Sequence, residues 1–252
     1  MEILPCTIIS KVNRFVIRAR LGSEEVLVHN ANTGRLEDLI WEGNEGFCIE
    51  KEEGKLRYRL ISAKTPFGYA VTDPNLQERA LLEAFKVGAI PWARGCDVRR
   101  RPKRTSTFDF ELKCPDEVLI EVKSADLASP RAEGMWPDCP TERGRRHLRE
   151  LSNLTGTRVV LFVVGFPKAT AFVPYYKGDP NAFDALLKAA LSGVIIKAIG
   201  MYFDPLVSEV KLYGELPVLF REGADEVPQR SLYAPHLTGP LSLPRITASL
   251  RI

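Results

Sequence analysis

The segment FDFELKCPDEVLIEVKS, residues 108–124, is the stretch from which the fold and the chemistry of this chain are best inferred. Two apolar runs flank the turn-forming residues CPDE at 114–117, a pattern that predicts an antiparallel β-hairpin. Folding the hairpin about the middle of that turn places Asp109 opposite roughly position 122, and therefore beside Glu121. Glu121 and Lys123 are two residues apart on one strand, so their side chains point to the same face. The hairpin thus predicts a cluster of two carboxylates and one ammonium group.

This cluster has the composition of a metal-dependent phosphodiesterase site. Carboxylate oxygens and water are the ligands that Mg²⁺ or Mn²⁺ prefers, and such an ion can bring a phosphate oxygen and an attacking water together. Lys123 would polarise that water or neutralise charge that develops on the phosphate. A solvent-facing ion pair would explain Glu121 and Lys123 taken alone. The position of Asp109, together with Glu78 and Glu83 on the helix predicted upstream, favours the functional interpretation.

Composition limits the class of protein. A chain of 252 residues with 45% hydrophobic content can bury one large core or two smaller ones, and a formal charge of +3 does not by itself identify a nucleic-acid binder. No stretch reaches the roughly 18 apolar residues of a membrane span, and the N-terminus does not resemble a signal peptide. The cysteines are odd in number, and their spacing argues against a disulfide framework or a zinc site. We therefore expect a cytoplasmic protein without membrane contact. The cysteines are Cys6, Cys48, Cys96, Cys114 and Cys139.

The pattern of secondary structure changes near residue 68. Five short strand-like runs predict a small all-β barrel over residues 1–68. Helices then alternate with strands, which predicts an α/β domain with a mixed central sheet over residues 69–222. The chain ends in an arm or ordered tail, residues 223–252, that contains Pro228, Pro235, Pro240 and Pro244. The predicted helices are 76–86, 141–153 and 181–192, and the predicted strands outside the barrel and hairpin are 158–164, 171–173 and 195–201.

Two basic segments adjoin the predicted site. A run of basic residues directly precedes the strand of Asp109, and the segment TERGRRHLREL at 141–151 begins with a helix-capping threonine and continues as a basic helix. Exposed loops and helices with internal salt bridges often carry such charge, but a phosphate backbone would also require it. For the basic residues of this helix, an exposed surface with internal salt bridges and contact with phosphate remain equally good explanations. The candidate phosphate contacts are Arg99, Arg100, Arg101, Arg104, Arg143, Arg145 and Arg146.

Four segments give the chain a resemblance to a known family. They are NRF at 13–15, VHNANTG at 28–34, FDF…IEVKS within 108–124, and PDCPTERGRRHLREL at 137–151. With these motifs the chain resembles the sugar fermentation stimulation protein A family over about residues 12–220. The resemblance implies an N-terminal OB-type barrel followed by a PD-(D/E)xK nuclease-like domain. It also implies DNA binding, and the family name records a proposed role in regulating sugar metabolism.

The resemblance assigns roles to individual positions. Asp109, Glu121 and Lys123 fall on the nuclease motif. The family's helical acid falls on Glu83 when counted back from residues 88–90, although Glu78 remains an alternative. These assignments make Asp109, Glu121 and Glu83 the ligands of Mg²⁺ or Mn²⁺.

Barrel residues also fall on family positions. Arg14 and Phe15 are candidates for nucleic-acid contact, because OB barrels bind single strands through basic and aromatic side chains. His29 is equally well explained as a structural residue at a strand end. The turn at 32–34, Asn-Thr-Gly, is explained by turn chemistry alone.

The leading hypothesis is therefore a DNA-binding protein with a Mg²⁺- or Mn²⁺-dependent nuclease site. One alternative is a DNA-binding regulator of sugar metabolism genes that retains the nuclease fold without cleavage. Another is an RNA- or nucleotide-processing enzyme on the same scaffold. Strand preference and oligomeric state stay open, a homodimer being one option.

Overall fold

The computed structural model describes residues 2–100, 108–220 and 246–252. The helices are α1 (Pro74–Lys86), α2 (Glu142–Ser152) and α3 (Pro180–Leu191), with a short 3-10 helix at Pro91–Ala93. The strands are β1 (Ile3–Asn13), β2 (Val16–Leu21), β3 (Glu24–His29), β4 (Glu45–Glu50), β5 (Tyr58–Thr65), β6 (Gly68–Val71), β7 (Asp97–Arg100), β8 (Phe110–Lys113), β9 (Glu117–Ser124), β10 (Leu127–Ala128), β11 (Glu133–Trp136), β12 (Thr157–Val164), β13 (Ala171–Pro174), β14 (Ile195–Asp204), β15 (Glu209–Leu216) and β16 (Ala248–Arg251).

The first five strands close into a barrel. β1 pairs antiparallel with β2 and β4, β2 pairs with β3, and β4 pairs with β5. A short parallel contact between β3 and β5 completes the ring. Ile8, Ile17, Val28 and Leu60 fill the interior, as expected where successive side chains alternate between the two faces of a strand. The predicted OB-type barrel is confirmed.

A mixed sheet forms the centre of the α/β part. β9, β12 and β14 run parallel, with β8 antiparallel to β9 and β15 antiparallel to β14. Residues 159–164 of β12 are all buried because helices cover both faces of this strand. One set of alternating residues packs with α1, and the other set packs in the cluster that contains α2 and α3. The predicted mixed sheet is therefore also confirmed.

Helix starts follow the sequence closely. Thr141 caps α2, its hydroxyl accepting from the amide of Gly144 at 3.1 Å. Asp73 caps α1 in the same way by accepting from the amide of Asn75 at 2.9 Å. Such side chains satisfy amides that have no partner within the helix, which explains why each helix starts at these positions.

Strand β6 connects the barrel to the central sheet. It pairs with β5 over residues 68–71 and with β14 through Tyr69 and Phe203. The hydrogen-bonded sheet consequently runs through the boundary predicted between residues 68 and 69. That boundary remains a prediction about how the chain is divided.

Two features differ from the expectations drawn from the sequence. Cys96 and Cys114 form a disulfide with a Cα–Cα distance of 4.5 Å, although the spacing of the cysteines argued against a disulfide framework. The pairing of Asp97 with Lys113 places these cysteines side by side at the end of the β7–β8 ladder, so sequence spacing alone is a poor guide. The end of the predicted tail forms β16, which pairs with β15. In the part of the chain that the structure describes, every helix is too short or too polar to cross a membrane.

A buried polar contact joins the barrel to the α/β part. Asp126, just after β9, accepts from the side-chain amide of Asn32 at 2.9 Å and from that of Gln77 at 3.0 Å. Burial raises the pKa of Asp126 to about 8, and the nearby charges of Asp138 and Asp38 act in the same direction. The two amide donors oppose this shift without cancelling it.

The aromatic core should dominate stability. Phe162 is fully buried and stacks on Phe172 with ring centroids 3.9 Å apart. We expect Phe162→Ala to lower the free energy of unfolding by about 3–5 kcal/mol because it leaves a cavity in a packed interior. Urea denaturation would measure this change. Leu206→Ala, at a side chain that is 93% exposed, should stay within about 0.5 kcal/mol of the wild type.

Asp126→Asn should destabilise the protein in a pH-dependent way. The new amide would face a donor of Asn32 or Gln77, and we expect a loss of about 1–3 kcal/mol at pH 5. The folded-state pKa of Asp126 lies above the unfolded value of about 3.9, so wild-type stability falls as the pH rises between these values. Asparagine does not titrate, and the deficit should therefore shrink toward pH 9. Denaturation at pH 5, 7 and 9 checks this, and a constant difference would contradict it.

Candidate active site

The hairpin forms with a register close to the expected one. Phe110 pairs with Ile120, which brings Asp109 level with Glu121 rather than with position 122. The backbone amide of Asp109 donates to the carbonyl of Ile120 at 3.1 Å, and its carboxylate accepts from the amide of Val122 at 2.7 Å. These two bonds hold the backbone and the side chain of Asp109 against strand β9.

The carboxylate of Glu121 is the centre of the site. Its Oε1 contacts both the ammonium of Lys123 and Nδ1 of His147. Lys123 Nζ lies 3.4 Å from the same His147 nitrogen. Glu121 is only 2% exposed, and among the described residues its Oε2 has no hydrogen-bond partner. One oxygen of this buried carboxylate is thus compensated, while the other is buried without a hydrogen-bond partner.

His147 was not among the candidates drawn from the sequence. It lies on α2, whose buried residues Gly144, His147, Leu148 and Leu151 recur at helical spacing. That spacing could have placed the histidine on the face that packs against the sheet. Gly144 is required there, because a Cβ at this position would lie 2.9 Å from the Trp136 ring.

The two hairpin carboxylates differ in their electrostatics. Burial and the charge of Glu121 raise the pKa of Asp109 to about 7, against the opposing effects of the Val122 amide and Lys123. Burial also raises the pKa of Glu121, but Lys123 and His147 more than offset this, so that its pKa lies below the usual value. Glu121 therefore carries a negative charge at neutral pH, whereas Asp109, with a pKa of about 7, changes its protonation state near neutral pH.

The structure brings Glu78, and not Glu83, toward the site. Five residues on an α-helix correspond to a rotation of about 140° around its axis, so the two side chains face different directions. Glu83 forms an ion pair with Lys86 at 2.8 Å. Glu78 accepts from Nε of Arg100 at 3.1 Å, and its charge contributes to the raised pKa of Asp109. Of the two alternatives for the helical acid, the geometry favours Glu78.

The arginines of β7 have different surroundings. Arg100 is directed at the Glu78 carboxylate and is therefore part of the site rather than a free surface charge. Arg101 and Arg104 lie outside the described residues. Arg99 lines a surface cavity of about 450 Å³ with Lys86, Cys96, Asp97, Val98 and Lys113.

The arginines of α2 also divide by environment. Arg145 donates to both carboxylate oxygens of Asp179 at 3.1 Å, and so ties α2 to the start of α3. Arg146 forms an ion pair at 3.6 Å with the glutamate four residues later. Arg143 is exposed and lies one turn before His147 on the same helix face. Arg143 is thus the α2 arginine best placed to meet a ligand at the site.

The barrel candidates lie at the turn between β1 and β2. Arg14 is exposed, and the Phe15 ring is 48% exposed. The Phe15 backbone is held at both its amide and its carbonyl, by the side chain of Asn13 and the amide of Asn30, each at 2.8 Å. This turn presents an aromatic ring on a fixed backbone.

The residues of the site fit a divalent cation as partial ligands. Within residues 2–100, 108–220 and 246–252, no three His, Cys, Asp or Glu side chains already stand in a metal-holding arrangement. The fit rests instead on the buried Glu121 oxygen without a hydrogen-bond partner. It also rests on the nearness of Asp109, whose pKa is raised by the charge of Glu121. A hard cation that takes carboxylate oxygens and completes its shell with water suits such a donor set.

Comparisons with known proteins cover both parts of the chain. A family model described as "SfsA N-terminal OB domain" matches residues 9–72, and one described as "Sugar fermentation stimulation protein RE domain" matches residues 75–206. A sugar fermentation stimulation protein homolog of Pyrococcus furiosus is 36% identical over 224 residues, which is 86% of this chain and 96% of the relative. The homolog of Archaeoglobus fulgidus is 41% identical over 182 residues, 71% of this chain and 80% of the relative.

A solved structure gives the same result. The structure of Pyrococcus furiosus SfsA in complex with Ca²⁺ superposes with a TM-score of 0.82 at 33% sequence identity. The match covers 86% of this chain and 96% of that one. Barrel, mixed sheet and sequence therefore agree, and the chain belongs to the sugar fermentation stimulation protein family.

Proposed function

We propose that the protein binds DNA and hydrolyses its phosphodiester bonds with the help of Mg²⁺ or Mn²⁺. The observation that carries this proposal is the buried Glu121 carboxylate, which has one oxygen without a hydrogen-bond partner and lies beside Lys123 and Asp109. A buried carboxylate of this kind would be out of place in a surface that only attracts a polyanion. Pyrococcus furiosus SfsA was solved in complex with Ca²⁺, which supports a site for hard divalent cations in this chain as well.

The roles of the protein residues follow from their surroundings. Asp109, Glu121 and Glu78 would hold the cation. When bound, the cation would act as a Lewis acid on a phosphate oxygen and on the attacking water. Lys123 would neutralise charge that develops on the phosphate, and its ammonium is held in place by Glu121, with His147 Nδ1 3.4 Å away.

Positive charge on both sides of the site would guide the phosphate backbone. Arg100 lies at the end of β7 against Glu78, and Arg143 lies on α2 one turn from His147. These two arginines approach from different elements. Phosphate oxygens would be attracted to the space between them.

One observation favours a second candidate function, a DNA-binding protein that does not cleave. Glu121 is already compensated by Lys123 and His147, and the described residues contain no ready-made group of three metal ligands. A DNA-binding protein could keep such a site without cleaving DNA. Cleavage and binding assays on matched variants separate the two functions.

Lys123→Met should abolish cleavage while leaving the cation ligands in place. We expect hydrolysis of linear, supercoiled or single-stranded DNA with Mn²⁺ to fall at least about 100-fold, because a preorganised charge at the phosphate is lost. Gel assays of product formation, with EDTA as a blank and RNA as a further substrate, would measure this. Binding to the same DNA should persist.

Lys113→Met, on the partner strand of the hairpin, is the matched control and should cleave as the wild type does. If Lys123→Met cleaved every substrate as fast as the wild type does, the catalytic assignment of Lys123 would be overturned. Metal-independent DNA binding by a wild type that never cleaves would support the second function.

Arg143→Gln should weaken DNA binding and flatten its dependence on salt. Each phosphate contact contributes roughly one unit to the slope of log affinity against log salt concentration, and we expect a decrease of about one unit. Fluorescence anisotropy with a labelled duplex and a labelled single strand at several salt concentrations checks this. Lys188→Gln removes one exposed charge from α3 and serves as the control. An unchanged slope for Arg143→Gln would exclude this residue from the interface.

A further inference from the structure

We propose that Gln77, supported by Asp126 and the barrel residue Asn32, is a positioning residue that sets helix α1 against strand β9 in the candidate active site. The inference rests on the proposed divalent-cation site. It adds a residue that none of the motifs identifies. It also gives the barrel a direct part in the geometry of the site.

Gln77 links the two elements that carry the acidic side chains. It is fully buried, precedes Glu78 on α1, and accepts from the hydroxyl of Ser124 at 2.6 Å. Ser124 directly follows Lys123 at the end of β9. The amide of Gln77 donates to the carbonyl of Val71 at 2.7 Å. Every polar atom of this side chain is therefore engaged, and its orientation is fixed.

The barrel completes this support through Asn32. Its amide donates to Asp126 at 2.9 Å and to the carbonyl of Thr72 at 3.2 Å, while its oxygen accepts from the amide of Gly34 at 2.9 Å. The Asn-Thr-Gly turn thus does more than reverse the chain. Asp126 receives one amide from the barrel and one from α1, so it joins three parts of the molecule.

The contact is closely packed. Gly165 lies against it, and a Cβ at this position would come within 2.3 Å of the Asp126 carboxylate and 3.1 Å of the Gln77 amide. Rotating the Gln77 amide would place its oxygen opposite two other acceptors, the Val71 carbonyl and the Asp126 side chain. This arrangement of hydrogen bonds therefore supports the position of α1 against β9, in addition to the apolar packing of α1 on the sheet.

A cation held by carboxylates from separate elements is sensitive to their spacing. Glu78 comes from α1, whereas Glu121 comes from β9 and Asp109 from the start of the hairpin's other strand. Residues that orient ligands without contacting the metal commonly contribute about 10–100-fold to metal affinity. Gln77 would act on Glu78 through the backbone of α1, on which the two residues are neighbours.

The test is a calorimetric titration with Ca²⁺ on the full chain, which requires no turnover. We expect Gln77→Met, which keeps the length of the side chain but removes its hydrogen bonds, to weaken Ca²⁺ affinity about 10–100-fold. Asn32→Ala should act in the same direction. Ser124→Ala removes a single bond to Gln77, so it should give a smaller loss and provides a milder variant should Gln77→Met fail to fold.

Asn44→Ala is the matched control. Asn44 is also a buried amide whose side chain donates to two backbone carbonyls, those of Leu39 at 2.7 Å and Lys64 at 3.1 Å, but it lies within the barrel. It should lower the melting temperature, as Gln77→Met does, and leave Ca²⁺ affinity unchanged. The affinity therefore separates positioning from a general loss of stability.

The outcomes distinguish this inference from the proposed function. Wild-type affinity in folded Gln77→Met and Ser124→Ala, with Ca²⁺ binding still abolished by Glu121→Gln, would overturn the positioning role alone. A wild type without a Glu121-dependent Ca²⁺ site would overturn the proposed cation site and the positioning role with it. Equal losses of affinity in Asn44→Ala and Gln77→Met would reduce the role of Gln77 to stability.

Discussion

The pairing of β9 with β12 is the interaction on which the rest of the structure depends. The two strands run parallel over seven paired positions, from Thr157 with Val118 to Val163 with Ser124. Residues 119–121 of β9 are buried in this sheet, so a charged side chain there is costly unless it is paired. The ammonium of Lys123 supplies the opposite charge to Glu121, and Nδ1 of His147 contacts the same carboxylate oxygen.

The site thus places the charge of Glu121 inside a sheet whose apolar surroundings would make an unpaired charge costly. Replacement of Glu121 by an apolar residue would suit the surrounding core better, since buried charges in folded proteins must be paired. Retention of the carboxylate, with one oxygen left without a hydrogen-bond partner, is the type of local conflict found at functional positions. Asp109 shows the same conflict in its raised pKa.

Much of this arrangement could be predicted from the sequence. Alternating strand patterns gave the barrel, capping residues located the helices, and the hairpin turn brought Asp109 to Glu121. What could not be predicted depends on contacts between distant segments. Strand β7 is short and mostly exposed, and its partner β8 determines it more than its own composition does. β16 pairs with β15 across a long sequence separation.

The site shows the same division between local and distant information. Counting residues from a neighbouring motif could not choose between Glu78 and Glu83, because the choice depends on the direction of each side chain around the helix axis. Arg100, from another strand, marks the inward side. His147 could not be joined to the site from the sequence, because its partner Glu121 lies 26 positions away on another element. The sequence around Asn32 indicates only a turn, because the partner of its side chain, Asp126, lies 94 positions further along the chain.

The continuity of the sheet through β6 has a consequence for the independence of the two parts. A barrel attached by a flexible linker could be exchanged between proteins or unfold by itself. Here a backbone ladder and a buried carboxylate both cross between the parts. The barrel therefore depends on contacts with the α/β part. We expect the chain to unfold in one cooperative transition rather than in two separate steps.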